Sequence, residues 1–241
     1  MKLSRYKHDS DVSYALGATL VYELLKTHPE LIRRVFLRKG TKPGDDLTTL
    51  LENLKARHIE IIETSKAFNV LDAKDSCLLI AEFQKPTEQL SISPDAPHLV
   101  LVNPSDAGNL GTIMRSAAAF GFQNIAIVTP AVDYLNPKTI RASMGAVFHL
   151  NIQEFASFDA YYISQPTRTL YAFMLDETAV KLPDLHPTGQ NFALIFGNEA
   201  SGLPKSLVAI AQPVFIPQSS NVDSLNLSVA TSIALYQFRQ K

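Results

Sequence analysis

Three polar loops in the second half of the chain hold the residue types best suited to chemistry. The first runs from Asn103 to Asn109 and leads into a helical pattern that contains Arg115. Its short polar side chains are typical of a helix start, with Asp106 as the predicted N-cap. Capping does not explain Arg115, whose planar guanidinium binds phosphate oxygens in a fork. A capped helix start and a functional site therefore both remain open for this loop.

The second loop begins where an apolar run ends at Gly197. An amide, a carboxylate and another glycine follow at Asn198, Glu199 and Gly202. Glycine permits a tight turn and a close approach of a ligand to the backbone. The spacing differs from the Rossmann glycine fingerprint, and no lysine follows the second glycine directly, as it would in a P-loop. A dinucleotide or a nucleoside triphosphate is therefore not indicated, and an ordinary strand-to-helix turn is the alternative interpretation.

The third loop extends from Ile216 to Ser224, between a predicted strand and the last predicted helix. It is dense in serine, asparagine and aspartate, which are also ordinary helix caps. The backbone groups of such a loop can hold a small ligand. With Leu225 and Asn226, which follow it directly, this loop is the third candidate part of a site.

Strands and helices alternate around these loops. Strands are predicted at residues 98–102, 124–128, 148–152, 169–174, 192–196 and 213–216, and helices at 107–120 and 224–239. This alternation predicts an α/β fold with a mostly parallel sheet covered on both faces. Parallel sheets bind ligands at the carboxyl ends of their strands, which directs attention to all three loops.

A smaller α/β unit is predicted before this sheet. Its helices are expected at residues 10–28, 45–57 and 65–71, and its strands at 35–37, 59–62 and 76–83. The segment 84–98 contains three prolines and shows little periodicity, as a linker would. We therefore predict a first domain at residues 1–88 and a second at 97–241.

One basic cluster stands out in the first domain. It consists of Arg33, Arg34, Arg38, Lys39 and Lys42. A solvated edge strand and turn would explain these charges. A patch that contacts nucleic-acid phosphates is the alternative interpretation.

Composition limits the class of protein. Hydrophobic residues make up 46% of the chain and charged residues 19%, which indicates a globular core. No apolar run approaches the roughly 18 to 20 residues of a membrane span, and the N-terminus lacks a signal-peptide core. The net charge of −1 counts against a nonspecific nucleic-acid coat, although not against local patches. The single cysteine, Cys77, excludes an internal disulfide, so we expect a cytoplasmic protein.

At the three loops the sequence resembles the SpoU/TrmH branch of the SPOUT RNA methyltransferases. The resemblance covers about residues 97–240 and rests on NPSDAGNLGTIMRSAAAFGF, LIFGNEASGLP and IPQSSNVDSLNLSVATSIALYQF, in the family's order. The preceding unit is similar, by layout, to the small ribosomal-protein-like RNA-binding domain of many members. The resemblance implies a trefoil-knotted α/β domain, with the C-terminal chain threaded through a loop. It also implies a homodimer whose active site uses both subunits.

The resemblance also implies a cofactor and a set of site residues. The cofactor would be S-adenosylmethionine, whose sulfonium makes its methyl group electrophilic, so that no metal is expected. The catalytic polar set falls on Asn109, Arg115, Glu199, Ser224 and Asn226. The cofactor-binding residues fall on Gly197, Asn198, Ile216, Leu225 and Asn226. The residues expected to contact RNA come from the basic cluster of the first domain and not from the resemblance, and they are Arg33, Arg34, Arg38 and Lys39.

We therefore predict methyl transfer to a ribose 2′-hydroxyl of structured RNA, ribosomal RNA before transfer RNA. Arg115 is expected beside the reacting hydroxyl and its phosphate. Because an arginine guanidinium rarely loses its proton, Arg115 would orient the substrate and stabilise charge, with a phosphate or Ser224 in the proton path. A SPOUT enzyme that methylates a base nitrogen and a non-catalytic RNA-binding protein of the same fold are the alternatives. A small-molecule methyltransferase would leave the N-terminal unit without a role.

Overall fold

The computed structural model describes residues 3, 5–87, 91–176, 178–185, 189 and 191–239. Contacts along the chain divide these residues into two compact units. The first contains the described residues up to Thr87 together with Asp133–His149, and the second contains those from 91 to Val132 and from Leu150 onward. The predicted domain limits at 1, 88 and 241, and part of the predicted linker at 88–90, lie outside the described residues.

The first unit is built on a four-stranded mixed sheet. Its strands are β1 (Val12–Leu16), β2 (Ile32–Leu37), β3 (Ile61–Glu63) and β4 (Leu79–Gln84). Its helices are α1 (Ala18–Thr27), α2 (Asp45–Ala56) and α3 (Lys66–Val70). The strand order is β1-β4-β2-β3, with β2 and β3 parallel and the other neighbours antiparallel.

The helix predicted over residues 10–28 is wrong in its first half. Residues Val12–Leu16 form β1, which pairs with β4, and helix α1 begins only at Ala18. Gly17 separates the two elements with a φ of 119°, a conformation that L side chains rarely adopt. Of the leucines whose spacing predicted the helix, Leu20, Leu24 and Leu25 lie in α1, whereas Leu16 is the last residue of β1. Pairing with a strand 64 or more residues away overrides the local pattern before it.

The second unit is built on a seven-stranded sheet in which every neighbouring pair is parallel. Its strands are β5 (His98–Val102), β6 (Asn124–Val128), β7 (Asn151–Phe155), β8 (Thr169–Phe173), β9 (Val180–Lys181), β10 (Phe192–Phe196) and β11 (Gln212–Phe215). The helices after β5 are α4 (Ala107–Ala119), α5 (Pro137–Ala142), α6 (Phe158–Ser164) and α7 (Leu227–Phe238). The predicted mostly parallel sheet is therefore confirmed, and β5, β6 and β10 have the predicted bounds.

The strand order of this sheet, β7-β6-β5-β10-β8-β11-β9, reverses direction between β5 and β10. From β5 the chain adds β6 and then β7 on one side. The later strands β8 to β11 all lie on the other side, where β10 pairs directly with β5. Such a switch point leaves a crevice at the carboxyl ends of the two central strands, where α/β sheets bind ligands. All residues of β5, β6 and β10 are buried, so the crevice stands on a rigid base.

Helix α5 belongs to the first unit although β6 and β7 belong to the second. Within the first unit, the Ser13 hydroxyl donates to the Leu135 carbonyl at 2.5 Å. The Asp133 carboxylate accepts hydrogen bonds from Tyr6 and from Lys85, the latter at 3.0 Å. The sequence did not predict this excursion. It also explains why the strand predicted at 148–152 begins only at 151, because residues 146–149 form a 3₁₀ turn of the first unit.

Part of the segment predicted as a linker is a fixed part of the second unit. The Arg168 guanidinium donates to the carbonyls of Ser93, Pro94 and Ala96 at 2.5 to 3.1 Å. Buried His98 bonds to the Ser93 carbonyl at 2.8 Å, and burial lowers its pKa to about 4. Neutral His98 is therefore a packing residue. None of the helices formed by the described residues is long and apolar enough to cross a lipid bilayer.

Candidate functional site

Glu199 joins the loop after β10 to the loop after β5. Its carboxylate accepts hydrogen bonds from the Ser105 hydroxyl at 2.8 Å and the Ser105 backbone N–H at 3.2 Å. It also accepts from the Asp106 N–H at 3.3 Å and from the Asn109 side chain at 3.2 Å. Asp106 caps α4 as predicted, by accepting from the Asn109 N–H at 2.7 Å. The helix start is therefore a capped turn and also part of a polar network.

Asn226 brings the third loop into the same network. Its amide donates to the Asn109 side-chain oxygen at 3.1 Å, and its own oxygen accepts from the Ser228 N–H at 2.8 Å. Asn226 is the N-cap of α7, so the helix predicted to begin near Ser224 begins at Leu227. A continuous chain of hydrogen bonds now links Glu199, Asn109 and Asn226. The three loops singled out from the sequence converge on one edge of the sheet.

Asn198 and Gly197 fix the shape of the loop after β10. The Asn198 amide donates to the Asn103 carbonyl at 2.8 Å, and its oxygen accepts from the Ala200 N–H at 2.9 Å. A Cβ atom on Gly197 would lie 2.2 Å from the carbonyl carbon of Gly202. The loop folds back onto its own backbone at this point, which only glycine allows.

A cavity of about 430 Å³ opens beside these loops. Six of the predicted site residues line it, namely Gly197, Asn198, Glu199, Ile216, Ser224 and Leu225. Its apolar wall includes Phe173 and Phe196, whose rings stack with centroids 4.4 Å apart. Asn109, Arg115 and Asn226 are not among the described residues that line it. The structure therefore places four of the five predicted cofactor residues at one cavity, and Glu199, Asn109 and Asn226 on the hydrogen-bond network at its edge.

Arg115 lies on an exposed strip of α4. Gly108, Thr112 and Ala119 on the same side of the helix are also exposed, as their spacing predicts. Among the described residues, no hydrogen bond or ion pair engages the Arg115 side chain. A guanidinium without an internal partner is available to a phosphate in solution.

The Glu199 carboxyl is held in its ionised form. Burial alone would raise its pKa. The hydrogen bonds, including those from Ser105 and Asn109, lower the pKa by more than burial raises it, so the pKa lies below its ordinary value of 4.5. Sequence reasoning passed over Ser105 because its role depends on Glu199, 94 residues later. Nothing in the local pattern distinguishes Ser105 from an ordinary turn former.

We expect Ser105→Ala to raise the pKa of Glu199 toward 4.5, because the variant removes the strongest hydrogen bond to the ionised form. Since the folded-state pKa is depressed, ionised Glu199 stabilises the folded loops above about pH 4.5, and this contribution is lost as the pH falls through the folded-state pKa. In the variant this contribution is smaller, and its loss is complete at a higher pH. A ¹³C-carboxyl NMR titration measures the midpoint. Ser201→Ala is the matched control, because Ser201 bonds to Asn198 and not to Glu199. An unchanged midpoint in Ser105→Ala would contradict the assignment.

The basic cluster in the first unit divides into two kinds of residue. Arg34 forms two hydrogen bonds with Glu82, each 3.1 Å long, and Glu82 is only 2% exposed. Arg38 donates to the Cys77 and Lys74 carbonyls and stacks over Phe68. Two further members, Arg33 and Lys39, are exposed, and no partner is found for either among the described residues. Arg34 and Arg38 therefore have structural partners, whereas Arg33 and Lys39 are available to a ligand.

Comparison with known families gives two matches. The model of the SpoU rRNA methylase family matches residues 96–236. The model of the RNA 2′-O ribose methyltransferase substrate-binding domain matches residues 14–72. Among the described residues, no cluster of three or more histidine, cysteine or acidic side chains is arranged to hold a metal.

Individual proteins resemble the chain over different shares of their length. An uncharacterised tRNA/rRNA methyltransferase of Synechocystis is 33% identical to this chain over 59% of its residues. The matched region covers about half of that relative's own length, or 53%. The 23S rRNA (guanosine(2553)-2′-O)-methyltransferase of Bacillus subtilis is 26% identical over 92% of this chain and 86% of its own. The solved structure of an AdoMet-bound rRNA methyltransferase from Sinorhizobium meliloti is 26% identical, with a TM-score of 0.80 over 94% of this chain and 86% of that one.

Proposed function

Because the chain belongs to the SpoU rRNA methylase family, we propose that it transfers the methyl group of S-adenosylmethionine to a ribose 2′-hydroxyl of structured RNA. The observation that carries this proposal is the convergence of Glu199, Asn109 and Asn226 at the edge of a ligand-sized cavity. Ribosomal RNA is favoured over transfer RNA, since the Bacillus subtilis relative is named for a 23S rRNA ribose.

The cavity fits the cofactor in size and chemistry. Its volume of about 430 Å³ lies within the range of small-molecule sites, and Gly197 allows a ligand to approach the backbone closely. In this proposal Gly197, Asn198, Ile216 and Leu225 hold the cofactor directly, and Asn226 supports the site through its hydrogen bond to Asn109. When bound there, S-adenosylmethionine supplies an electrophilic methyl group on a sulfonium.

The chain's own residues hold the loops and position the RNA. Glu199 and Asn226 fix the two loops through Asn109, which keeps the wall of the cavity in one shape. Arg115 binds a phosphate of the RNA beside the reacting ribose and stabilises the charge that develops on the oxygen. Because an arginine guanidinium keeps its proton, the hydroxyl proton passes to a phosphate oxygen, either directly or through the Ser224 hydroxyl, which gives up its own proton to that phosphate. Alignment of this kind lowers the activation free energy by several kcal/mol.

Mapping the modified atom tests the proposal. Purified protein is incubated with labelled cofactor and RNA from a strain that lacks the gene, and the product is digested and analysed by mass spectrometry. A ribose methyl blocks alkaline cleavage beside the modified nucleotide, and this is the expected result. Methylation of a base nitrogen would favour the alternative SPOUT chemistry. Cofactor binding without any transfer to RNA would favour a non-catalytic RNA-binding protein.

We also propose that the chain forms a homodimer. Helix α7 exposes Val229, Ile233 and Tyr236 at 47%, 41% and 54%, spaced along one face. The Tyr236 ring packs against the ring of Phe120, the C-cap of α4, with the two centroids 5.7 Å apart. This contact widens the apolar surface. Such a surface supports a homodimer, because soluble monomers rarely expose a contiguous apolar face. The mass in solution from light scattering would be that of two chains.

The trefoil knot and a cytoplasmic location complete the proposal. The packing of α7 against α4, through a 2.7 Å hydrogen bond between Ser116 and Ser232, supports a C-terminal segment folded back onto the cofactor domain. A crystal structure would show whether that segment is threaded. The cytoplasmic location rests on the bacterial rRNA methyltransferase among the relatives, and fluorescence microscopy of a tagged chain tests it.

We further propose that residues 1–88 select the RNA and that residues 97–241 carry out the transfer. The match of residues 14–72 to the substrate-binding family supports this division. Arg33, Lys39 and Lys42 are the exposed cations of the basic cluster. Arg34 and Arg38 would contribute to its positive potential while they hold their own partners.

We expect the double variant Arg33→Glu/Lys39→Glu to bind RNA at least about tenfold more weakly, with a salt dependence reduced by about two phosphate contacts. Lys26→Glu/Lys55→Glu makes the same charge change at exposed positions of α1 and α2 and is the control. Filter binding at fixed salt gives the affinity, and S-adenosylhomocysteine affinity should not change. Equal losses in both variants would reject a specific role. Arg34 is left unchanged because its replacement would leave buried Glu82 without its ion-pair partner. The free energy of unfolding would then fall by about 3 to 5 kcal/mol.

A further inference from the structure

Lys205 has a fixed place at the wall of the cavity. It follows Pro204 and begins a 3₁₀ turn that extends to Ala209. Leu203 and Leu207, on either side of it, are 8% and 5% exposed and belong to the core of the second unit. The Leu207 N–H donates to the Pro204 carbonyl at 3.1 Å. The backbone of Lys205 is therefore held in place, while its side chain is exposed and free to extend.

The cavity is lined by few charged residues, and they differ in how free they are to bind a ligand. Of the described residues that line it, Lys205 is the one cation and Glu199 is the one anion. The Glu199 oxygens already accept hydrogen bonds from Ser105, Asp106 and Asn109. No ion pair engages Lys205 among the described residues. The charge of Lys205 helps to lower the pKa of Asp176, an exposed carboxylate that already accepts hydrogen bonds from Thr178. The positive charge of Lys205 is therefore available to a ligand.

We propose that Lys205 binds the carboxylate at the amino-acid end of the cofactor, an inference that rests on the proposed function. S-adenosylmethionine and its demethylated product carry one anionic group, and the cavity wall carries one cation without an ion-pair partner. An ammonium on a flexible stem binds such a point charge well, and the hydrogen bond is charge-assisted. Lys205 thus distinguishes the intact cofactor from adenosine compounds that lack the carboxylate.

The test compares two ligands that differ at this end. S-adenosylhomocysteine carries the carboxylate, and 5′-methylthioadenosine has the same adenosine and sulfur without it. Isothermal titration measures both ligands with the full chain and with Lys205→Met, Lys205→Arg and Lys181→Met. Lys181 is the matched control, because it is the other described lysine of the second unit and does not line the cavity.

Lys205→Met is expected to weaken S-adenosylhomocysteine binding by about fivefold to tenfold and to change 5′-methylthioadenosine binding by less than about twofold. Lys205→Arg should retain most of the affinity for S-adenosylhomocysteine, and Lys181→Met should retain all of it. The difference in this affinity between the unaltered chain and Lys205→Met should shrink as salt is added. Equal losses for both ligands would overturn the inference, because Lys205 would then shape the cavity rather than bind the carboxylate. It would also be overturned by an unchanged cofactor affinity with weaker RNA binding, which would assign Lys205 to a phosphate. If the unaltered chain binds neither ligand, the proposed function fails as well, which is a distinct result.

Discussion

Arg115→Ala is expected to lower methyl transfer by about a hundredfold to a thousandfold while the affinity for S-adenosylhomocysteine stays the same. The exposed guanidinium lies on α4 outside the set of residues that line the cavity, so its loss leaves the cofactor's contacts in place. What is lost is a fixed positive charge beside the phosphate and the reacting oxygen. The folded state should be unaffected, because no internal hydrogen bond of Arg115 is found among the described residues.

A radiolabelled-methyl assay under single-turnover conditions and a calorimetric titration measure the two quantities separately. Thr112→Ala, on the same exposed strip of α4, is the matched control and should keep nearly full activity. Arg115→Lys should recover only a part of the rate, because an ammonium cannot form the planar fork. Near-full turnover by Arg115→Ala would refute the assignment of Arg115.

Gly197→Ala should abolish most of the cofactor affinity, by about a hundredfold or more, and lower the free energy of unfolding by about 1 to 3 kcal/mol. The added Cβ would lie 2.2 Å from the Gly202 carbonyl carbon, 2.3 Å from its oxygen and 2.5 Å from the Leu203 nitrogen. All three are backbone atoms, so no side-chain rotation can relieve the clash. The loop must move, and Asn198 and Glu199 move with it.

Titration with S-adenosylhomocysteine and a thermal melt measure this loss. Gly44→Ala is the control, because Gly44 has a φ of −78° and a Cβ there meets no atom within 4 Å. The control should keep its cofactor affinity and change stability only slightly. A Gly197→Ala protein that binds the cofactor as tightly as the unaltered chain would show that the cavity is not the cofactor site.

The chain's local patterns determined the parts of the protein that depend on near neighbours. Continuous apolar runs give β5, β6 and β10 their bounds, because a strand buried on both faces needs apolar residues at every position. Asp106 caps α4 through a contact three residues away. Loops placed after parallel strands predicted where the polar residues would meet.

Only the tertiary structure decided which polar groups bond to one another. Glu199 meets Ser105 across 94 residues, and Asn226 meets Asn109 across 117. Pairing with β4 turned residues 12–16 from a predicted helix into a strand. The bond between Arg34 and Glu82 removed one arginine from the freely exposed cations of the basic cluster. A local pattern contains the propensity of a segment and the periodicity of its faces. It does not contain the identity of a partner brought close by the rest of the chain, and hydrogen-bond and charge energies depend on that partner.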